Sequence, residues 1–314
     1  MSARLVRHWR DTGALDLPLP GGGETGRRWR RLADLTRVDV TAGRLAEAHT
    51  DAVAILAELD GPEPKPDDLW GVWAAESRDA VLCARRGAGG IVLSGTKVWC
   101  SGAGVCSHAL VTARMESGAD AGRRGLFAVA LDDPGVHALP SSWRNSGMAG
   151  SDTRSVQFSG AAAVAVGEPG GYLSRPGFWH GAMGVAACWL GGAQAVTAPL
   201  YEAAADPHAL AHLGAVDAAI VACDATIQWA AGVVDSDPHD GAGDAERTAR
   251  RVRAVAEAAV GEAITRTGRA LGPAPLCQDA DHARRVADLT VYVRQSHAER
   301  DLERLGGLLV RSTR

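Results

Sequence analysis

A large aromatic residue, Trp99, is followed by small hydroxyl and glycine residues from Ser101 onward. Two runs, 91–93 and 97–100, predict two β-strands joined by a tight turn at 94–96. An indole offers a stacking face, a hydroxyl offers a hydrogen bond, and neighbouring glycines let a backbone approach closely. The stretch therefore predicts a binding site for a flat ligand, although tryptophan on a strand is also common in protein cores.

The composition is that of a folded protein without a strong charge bias. The chain has 314 residues, of which 46% are hydrophobic and 22% are charged, with a formal net charge of −4. This length allows two or three domains with a substantial core. The weak negative charge gives no field that would attract nucleic acid or an anionic membrane surface, and we expect neither partner.

The cysteines and histidines carry no recognisable metal pattern. Six cysteines lack any Cys-x-x-Cys pair, and ten histidines lack a His-Glu-x-x-His spacing. Free thiols in a reducing compartment explain this usage better than disulfides or a zinc site, so we expect no metal. The first residues show no apolar signal region, and no long apolar run predicts a membrane span. A cytoplasmic location is expected.

The hydrophobic periodicity changes twice along the chain. Residues 1–62 predict amphipathic helices, including one over 41–59 with Thr41 as its N-cap. Residues 63–168 contain short apolar runs separated by Gly, Asp and Pro, which is typical of an antiparallel β-barrel or sandwich. Residues 169–314 return to the helical period, and their long segments predict an antiparallel four-helix bundle. The predicted strands are 81–84, 90–93, 97–100, 109–113, 126–131 and 154–158, and the four bundle helices are 184–205, 209–234, 245–271 and 281–309.

The central motif, Leu-Ser-Gly-Thr-Lys-Val-Trp-Cys-Ser over residues 93–101, resembles the middle-domain signature of acyl-CoA dehydrogenases. The block Gly-Met-Ala-Gly-Ser-Asp-Thr at 147–153 resembles that family's exit from its β-domain, and the small residues at 190–193 resemble a patch where its helices pack closely. Helices, strands and four further helices are also that family's layout.

The resemblance implies a flavoprotein that binds FAD. Trp99 would pack on the flavin, Ser101 would bond to its reactive edge, and Cys100 between them is predicted to line the same site. Residues 73–78 match the family's flavin-wrapping loop, where backbone amides of Ala74 and Ala75 and the retained Glu76 would serve the cofactor. Ala75 replaces the usual flavin-contacting threonine, and the following Gly-Ser-Asp and a later phosphate-binding Arg-x-x-Phe-Gly passage are missing.

The expected catalytic carboxylate is also missing, because Val293 stands where the family's glutamate belongs. A base must remove the α-proton of a thioester while the flavin takes the hydride. His180 on the first bundle helix, and His297 and Glu299 just beyond the gap, are the alternative candidates.

The resemblance implies oxidation at the α,β bond of an acyl-CoA, a small-molecule substrate, by a homodimer or homotetramer. Two alternatives stay open. One is a flavin-dependent monooxygenase on the same scaffold, which needs no α-proton base. The other is a catalytically degenerate binding or structural subunit of a hetero-oligomer.

Overall fold

The computed structural model describes residues 1–87 and 89–312, with side chains as far as residue 310. The chain divides into two compact units. The barrel unit comprises Met1–Leu17, Leu45–Arg144 and Ala149–Phe178, and the helical unit comprises Pro18–Arg44, Asn145–Met148 and Trp179–Arg314. Two helices run through both units, so the three predicted domains, 1–62, 63–168 and 169–314, stay a prediction.

The sheet of the barrel unit closes on itself. Strand β4 pairs with β5 on one side and with β2 on the other, and the path β2–β3–β7–β5 completes the ring. Short β1 lies beside β4, and β6 lies beside β7. The expectation of a β-barrel is confirmed, but it is not wholly antiparallel, since β1 and β2 both run parallel to β4. The strands are β1 (Trp70–Trp73), β2 (Leu82–Gly87), β3 (Gly90–Cys100), β4 (His108–Met115), β5 (Arg124–Ala130), β6 (Val136–Ala138) and β7 (Arg154–Val166).

The barrel interior is filled by one apolar cluster from all the larger strands. Phe127 and Phe158 are 2% and 1% exposed, and Trp73 of β1 is 1% exposed. A second cluster joins the outside of the barrel to helix α3 (Val40–Glu58), where Ile55 packs with Trp70. Burying each such side chain stabilises the folded state by roughly 1.5–3 kcal/mol.

The predicted turn at residues 94–96 is wrong, because β3 is one continuous strand of 11 residues. Gly95 has φ of 120°, and a Cβ there would collide with the Val81 carbonyl oxygen. The glycine therefore permits close backbone approach inside a sheet rather than a reversal of the chain.

Two short helices of the barrel unit lie outside the strands. Helix α1 (Ser2–Asp11) and the short α4 (Gly171–Ser174) flank the strands in sequence. The Arg175 guanidinium, only 4% exposed, pairs with Glu58 at 2.5 Å. The other Glu58 oxygen accepts a hydrogen bond from the Gly177 backbone at 3.0 Å. One carboxylate thus fixes the chain that follows α4.

The helical unit contains α2 and most of the remaining helices. Helix α6 packs against α2 and α7, and α7 packs against α9 and α10. Gly191 of α5 lies so close to Ala33 of α2 that a Cβ would collide with its carbonyl oxygen. The small residues at 190–193 thus lie where helices approach closely. The helices are α2 (Thr25–Val38), α5 (Gly177–Ala203), α6 (Pro207–Ser236), α7 (Ala245–Leu271), α8 (Ala274–Gln278), α9 (Ala280–Tyr292) and α10 (Glu299–Ser312).

The predicted fourth helix, 281–309, is broken between α9 and α10. Residues Val293–Gln295 form a 3-10 turn, Ser296 is extended, and Ala298 has φ of 47°. The Ser296 hydroxyl donates to Glu257 of α7 at 2.5 Å, and the Asp301 carboxylate accepts from the His297 backbone at 3.1 Å. These side-chain bonds replace helical ones, which a periodicity argument does not detect.

Two further details differ from expectation. Helix α3 begins at Val40, and its cap is the Asp39 carboxylate, which accepts from the Ala42 backbone at 2.7 Å, rather than Thr41. Helix α6 is long and apolar enough to cross a membrane by length and composition. Its sequence carries Asp217 and Asp224 in the middle, which would be costly in lipid.

Candidate functional site

A β-bulge near the end of β3 turns Trp99 out of the barrel. Lys97 pairs with Val156 and Cys100 with Arg154, so three steps on β3 oppose two on β7. Strict alternation would place residues 97 and 99 on the same, inner face. The extra residue shifts the inward–outward alternation of side chains by one position. Lys97 and Cys100 are therefore buried, while Trp99 is 62% exposed.

The backbone of Trp99 is held in an unusual conformation. Its φ is 60°, in the left-handed region that bulky residues avoid. The conformation costs roughly 1–3 kcal/mol and persists only where surrounding structure imposes it. Such outliers cluster at ligand sites, which makes the exposed indole a functional candidate.

Ser101 is fixed through its backbone. Its carbonyl oxygen accepts from the buried indole nitrogen of Trp73 at 2.9 Å. Its N–H donates to the Trp99 carbonyl oxygen at 3.0 Å. The next residue, Gly102, donates to the Ser151 carbonyl oxygen at 2.7 Å. The hydroxyl of Ser101 is therefore presented from a rigid support.

Three hydroxyl groups form a chain beside Trp99. The Ser101 hydroxyl lies 2.9 Å from the Thr153 hydroxyl, which lies 2.7 Å from the Ser151 hydroxyl. Ser151 is only 2% exposed, whereas Ser101 is half-buried. The chain thus runs from the interior to the surface. The sequence identifies Ser151 and Thr153 only as members of the block at 147–153 that resembles the family's exit from its β-domain.

Trp143 is a second aromatic residue that sequence reasoning missed. Its ring meets that of Trp99 edge to face, with centroids 6.4 Å apart and an interplanar angle of 88°. It lies in the polar loop between β6 and β7, and a lone tryptophan in such a segment was the available signal. The two indoles together form an aromatic corner at the end of β3.

Glu76 binds within the barrel unit rather than projecting freely. It pairs with the Lys97 ammonium at 3.0 Å, and it accepts from the Thr112 hydroxyl at 2.7 Å. Burial raises the pKa of Glu76, but the Thr112 hydrogen bond and the Lys97 charge outweigh it, and the pKa lies below the ordinary value of 4.5. Burial lowers the pKa of Lys97, whose side chain is 4% exposed. Glu76 therefore anchors the segment that follows β1.

Ala74 and Glu76 line a small pocket. Ala74 is half-buried and Ala75 exposed. The pocket has a cavity volume of about 50 Å³ and is bordered also by Arg124 and Tyr172. Sites for organic ligands are usually roughly 300–1,000 Å³. This pocket therefore has room for water molecules and not for a flavin ring.

Cys100 has its side chain in the barrel core. It is fully buried, and burial raises the pKa of its thiol to about 12. The thiol is therefore protonated and inert, and only the backbone of this residue is available to a ligand.

The candidate bases lie in the helical unit, in different settings. His180 is 4% exposed within α5. His297 is exposed, with its ring nitrogen 3.8 Å from Asp301, and Glu299 is exposed at the start of α10. Val293 is 3% exposed and contributes only apolar surface. The role of each as a base stays a prediction.

Asp288 on α9 is a buried carboxylate that sequence reasoning missed. It is 3% exposed and accepts a hydrogen bond from the Met148 backbone at 2.6 Å. Burial raises its pKa, although that hydrogen bond acts in the opposite direction. Perturbed carboxyls mark functional sites as well as structural ones. Here the contact holds the loop at Gly147, where a Cβ would collide with the Ala287 carbonyl oxygen of the same helix.

The end of β3 presents side chains that could hold a flat aromatic cofactor such as a flavin. The exposed face of Trp99 suits a flat aromatic system, and the Ser101 hydroxyl suits a ring nitrogen at its edge. The rigid support of both residues matches the pre-formed character of cofactor sites.

Comparison with known proteins supports the resemblance to acyl-CoA dehydrogenases. Residues 76–161 match the family model of the acyl-CoA dehydrogenase middle domain. This segment therefore resembles that domain, and the predicted family resemblance is confirmed. Solved structures show that the chain has the acyl-CoA dehydrogenase fold. Among curated proteins, no relative matches the sequence.

Three solved structures illustrate the range of that fold. FMN-bound TdsC from Paenibacillus sp. A11-2, a dibenzothiophene monooxygenase, is 17% identical with a TM-score of 0.81, covering 99% of this chain and 96% of that chain. KijD3 in complex with FMN and an amino-keto sugar nucleotide is 19% identical with a TM-score of 0.77, covering 100% and 92%. Butyryl-CoA dehydrogenase from Megasphaera elsdenii is 18% identical with a TM-score of 0.75, covering 89% and 80%.

Proposed function

We propose that this protein is a flavin-dependent monooxygenase with its flavin on Trp99. The observation that carries the proposal is the outward, left-handed Trp99 next to the supported Ser101 hydroxyl. The absence of a carboxylate at Val293 favours oxygenation over dehydrogenation, because oxygenation needs no base for an α-proton. The whole-chain similarity to TdsC points the same way.

A bound reduced flavin supplies the two electrons with which O₂ gives one oxygen atom to substrate and one to water. The protein's own residues bind and orient. Trp99 stacks on the ring, Ser101 hydrogen-bonds to its edge, and Trp143 restricts where a substrate can lie.

FMN is the proposed flavin in place of the FAD expected from sequence. The phosphate-binding Arg-x-x-Phe-Gly passage is missing, which removes a partner for the second phosphate of FAD. TdsC and KijD3 both carry FMN. A cytoplasmic location is proposed as well, because the irregular spacing of the six cysteines is better explained by thiols in a reducing compartment than by disulfides.

A flavin titration followed by an oxygen measurement tests the proposal. Quenching of FMN fluorescence on addition of the purified protein should report stacking, and FAD is titrated in parallel. Trp99→Ala should weaken FMN binding at least about fivefold, since base-like stacking on an aromatic residue is worth about 1–3 kcal/mol. Leu276→Ala, which removes an apolar side chain that is 43% exposed on α8, is the control and should leave the FMN affinity unchanged.

Oxygen consumption then separates the candidate reactions. Photoreduced FMN, air and indole as a probe substrate should give faster FMN-dependent oxygen uptake with the protein than without it. Anaerobic bleaching of bound flavin by butyryl-CoA would instead establish acyl-CoA dehydrogenation, the second candidate, which the middle-domain match favours. If the protein binds neither FMN nor FAD, the remaining interpretation is a catalytically degenerate binding subunit.

Self-association through α6 is proposed as part of the working enzyme, as a homodimer or homotetramer. Leu210, Val221 and Trp229 are 50%, 58% and 49% exposed and fall on one stripe of this helix. Glycines and alanines between them allow another helix to approach closely. Val221→Glu should lower the mass measured by light scattering, whereas Val164→Glu on β7, also exposed, should leave it unchanged.

A further inference from the structure

The hydroxyl chain at the end of β3 has a direction that follows from burial. In the part of the chain that the structure describes, Thr153 is the hydrogen-bond partner of the Ser151 hydroxyl. A buried donor without a partner costs more than an acceptor that keeps one lone pair free. Ser151, at 2% exposure, therefore donates its proton to Thr153.

The remaining steps follow from counting protons. Thr153 has one hydroxyl proton, and having accepted from Ser151 it donates to its other partner, Ser101, at 2.9 Å. The Ser101 hydroxyl then accepts a hydrogen bond from Thr153 and can donate its own proton to a group outside the protein. Linked hydroxyls polarise one another, so a hydroxyl that accepts becomes a better donor.

We propose that Ser151 and Thr153 are positioning residues that make Ser101 a hydrogen-bond donor to the flavin and so favour its oxidised form. This rests on the proposed function. The N5 atom of an oxidised flavin accepts a hydrogen bond, whereas N5 of a reduced flavin carries a hydrogen and donates. A fixed donor at Ser101 matches the first state and opposes the second.

The preference should appear in the redox potential of bound FMN. A typical hydrogen bond contributes about 1 kcal/mol net, or about fivefold in binding. With oxidised FMN bound fivefold more tightly relative to reduced FMN, the potential falls by about 20 mV, because tenfold corresponds to 29.6 mV for two electrons.

Thr153→Val breaks the chain and is the decisive variant. Its FMN potential, measured by equilibration with a redox dye, should rise by about 20 mV above wild type, with oxidised FMN bound about fivefold more weakly. Ser151→Ala should shift both quantities in the same direction. Thr153→Ser restores the hydroxyl and should restore the wild-type potential, which a purely structural role of Thr153 does not predict.

Two results would overturn the inference and are distinguishable. If Thr153→Val has the wild-type potential while Ser101→Ala does not, Ser101 acts without the chain, and the proposed function stands. If wild-type protein does not quench FMN fluorescence, the proposed function fails and the inference with it.

Discussion

Replacing Trp99 by glycine should leave the protein more stable than replacing it by alanine, which reverses the usual order of these residues. With φ of 60°, Trp99 is in a conformation where the Cβ of an L residue approaches the following carbonyl oxygen. Alanine keeps that Cβ and glycine does not. Both changes remove the same exposed indole, so the comparison isolates the backbone.

The magnitude follows from two opposing effects. Relief of the left-handed conformation is worth about 1–2 kcal/mol. Glycine also loses more conformational freedom on folding than alanine, which costs about 0.5–1 kcal/mol. The difference leaves Trp99→Gly ahead of Trp99→Ala by roughly 0.5–1 kcal/mol in free energy of unfolding.

Urea unfolding of both variants measures that difference. Val98→Gly and Val98→Ala are the matched control on the same strand, and there glycine should be less stable by about 0.5–1 kcal/mol. If Trp99→Ala proves as stable as Trp99→Gly, then Trp99 stores no backbone strain, and the argument from its conformation to a ligand site is lost.

Three further predictions concern neighbouring contacts. Glu76→Ala leaves the buried Lys97 ammonium without its carboxylate partner. Breaking a buried ion pair lowers the free energy of unfolding by about 3–5 kcal/mol. Because the Glu76 carboxylate is 38% exposed, we expect a loss of about 1–2 kcal/mol here. Urea unfolding should show that loss, and the double variant Glu76→Gln/Lys97→Met should recover most of it. If the double variant is as unstable as Glu76→Ala, the Glu76–Lys97 ion pair does not stabilise the fold. Because the folded pKa of Glu76 is below 4.5, its contribution is present at neutral pH and disappears as pH falls through that pKa, so the double variant's melting temperature should depend less on pH below about 4.5. Trp143→Ala should weaken FMN binding up to about tenfold by fluorescence quenching, since an edge-to-face pair is worth about 0.5–1.5 kcal/mol, and an unchanged affinity would remove Trp143 from the site.

Periodicity in the sequence was enough to predict the alternation of helices, strands and helices. It works because burial of one face imposes a repeat of 3.6 or 2 residues on apolar positions. It failed where single side chains decide the backbone. Ser296 and Asp301 interrupt a helical pattern through hydrogen bonds, and Gly95 serves a close strand contact although it resembles a turn residue.

The short strands β1 and β6 were missed for a related reason. They have 4 and 3 residues, too few for a period of two to stand out from surrounding loops. Strand β1 nevertheless carries Trp73, whose indole nitrogen fixes Ser101. Residues that support a site from a distance in sequence are therefore the least visible to pattern reasoning.

The candidate site was predicted from a sequence motif. The two-residue periodicity of a β-strand would not have identified it. A strict alternation through β3 places Trp99 on the face of Lys97, inside the barrel, where an indole would be core. The bulge opposite Arg154–Val156 moves it outside at the cost of a left-handed backbone. A strand that accepted Trp99 as core would need neither the bulge nor the strain. The two irregularities together therefore support the proposal that the exposed indole of Trp99 binds a ligand.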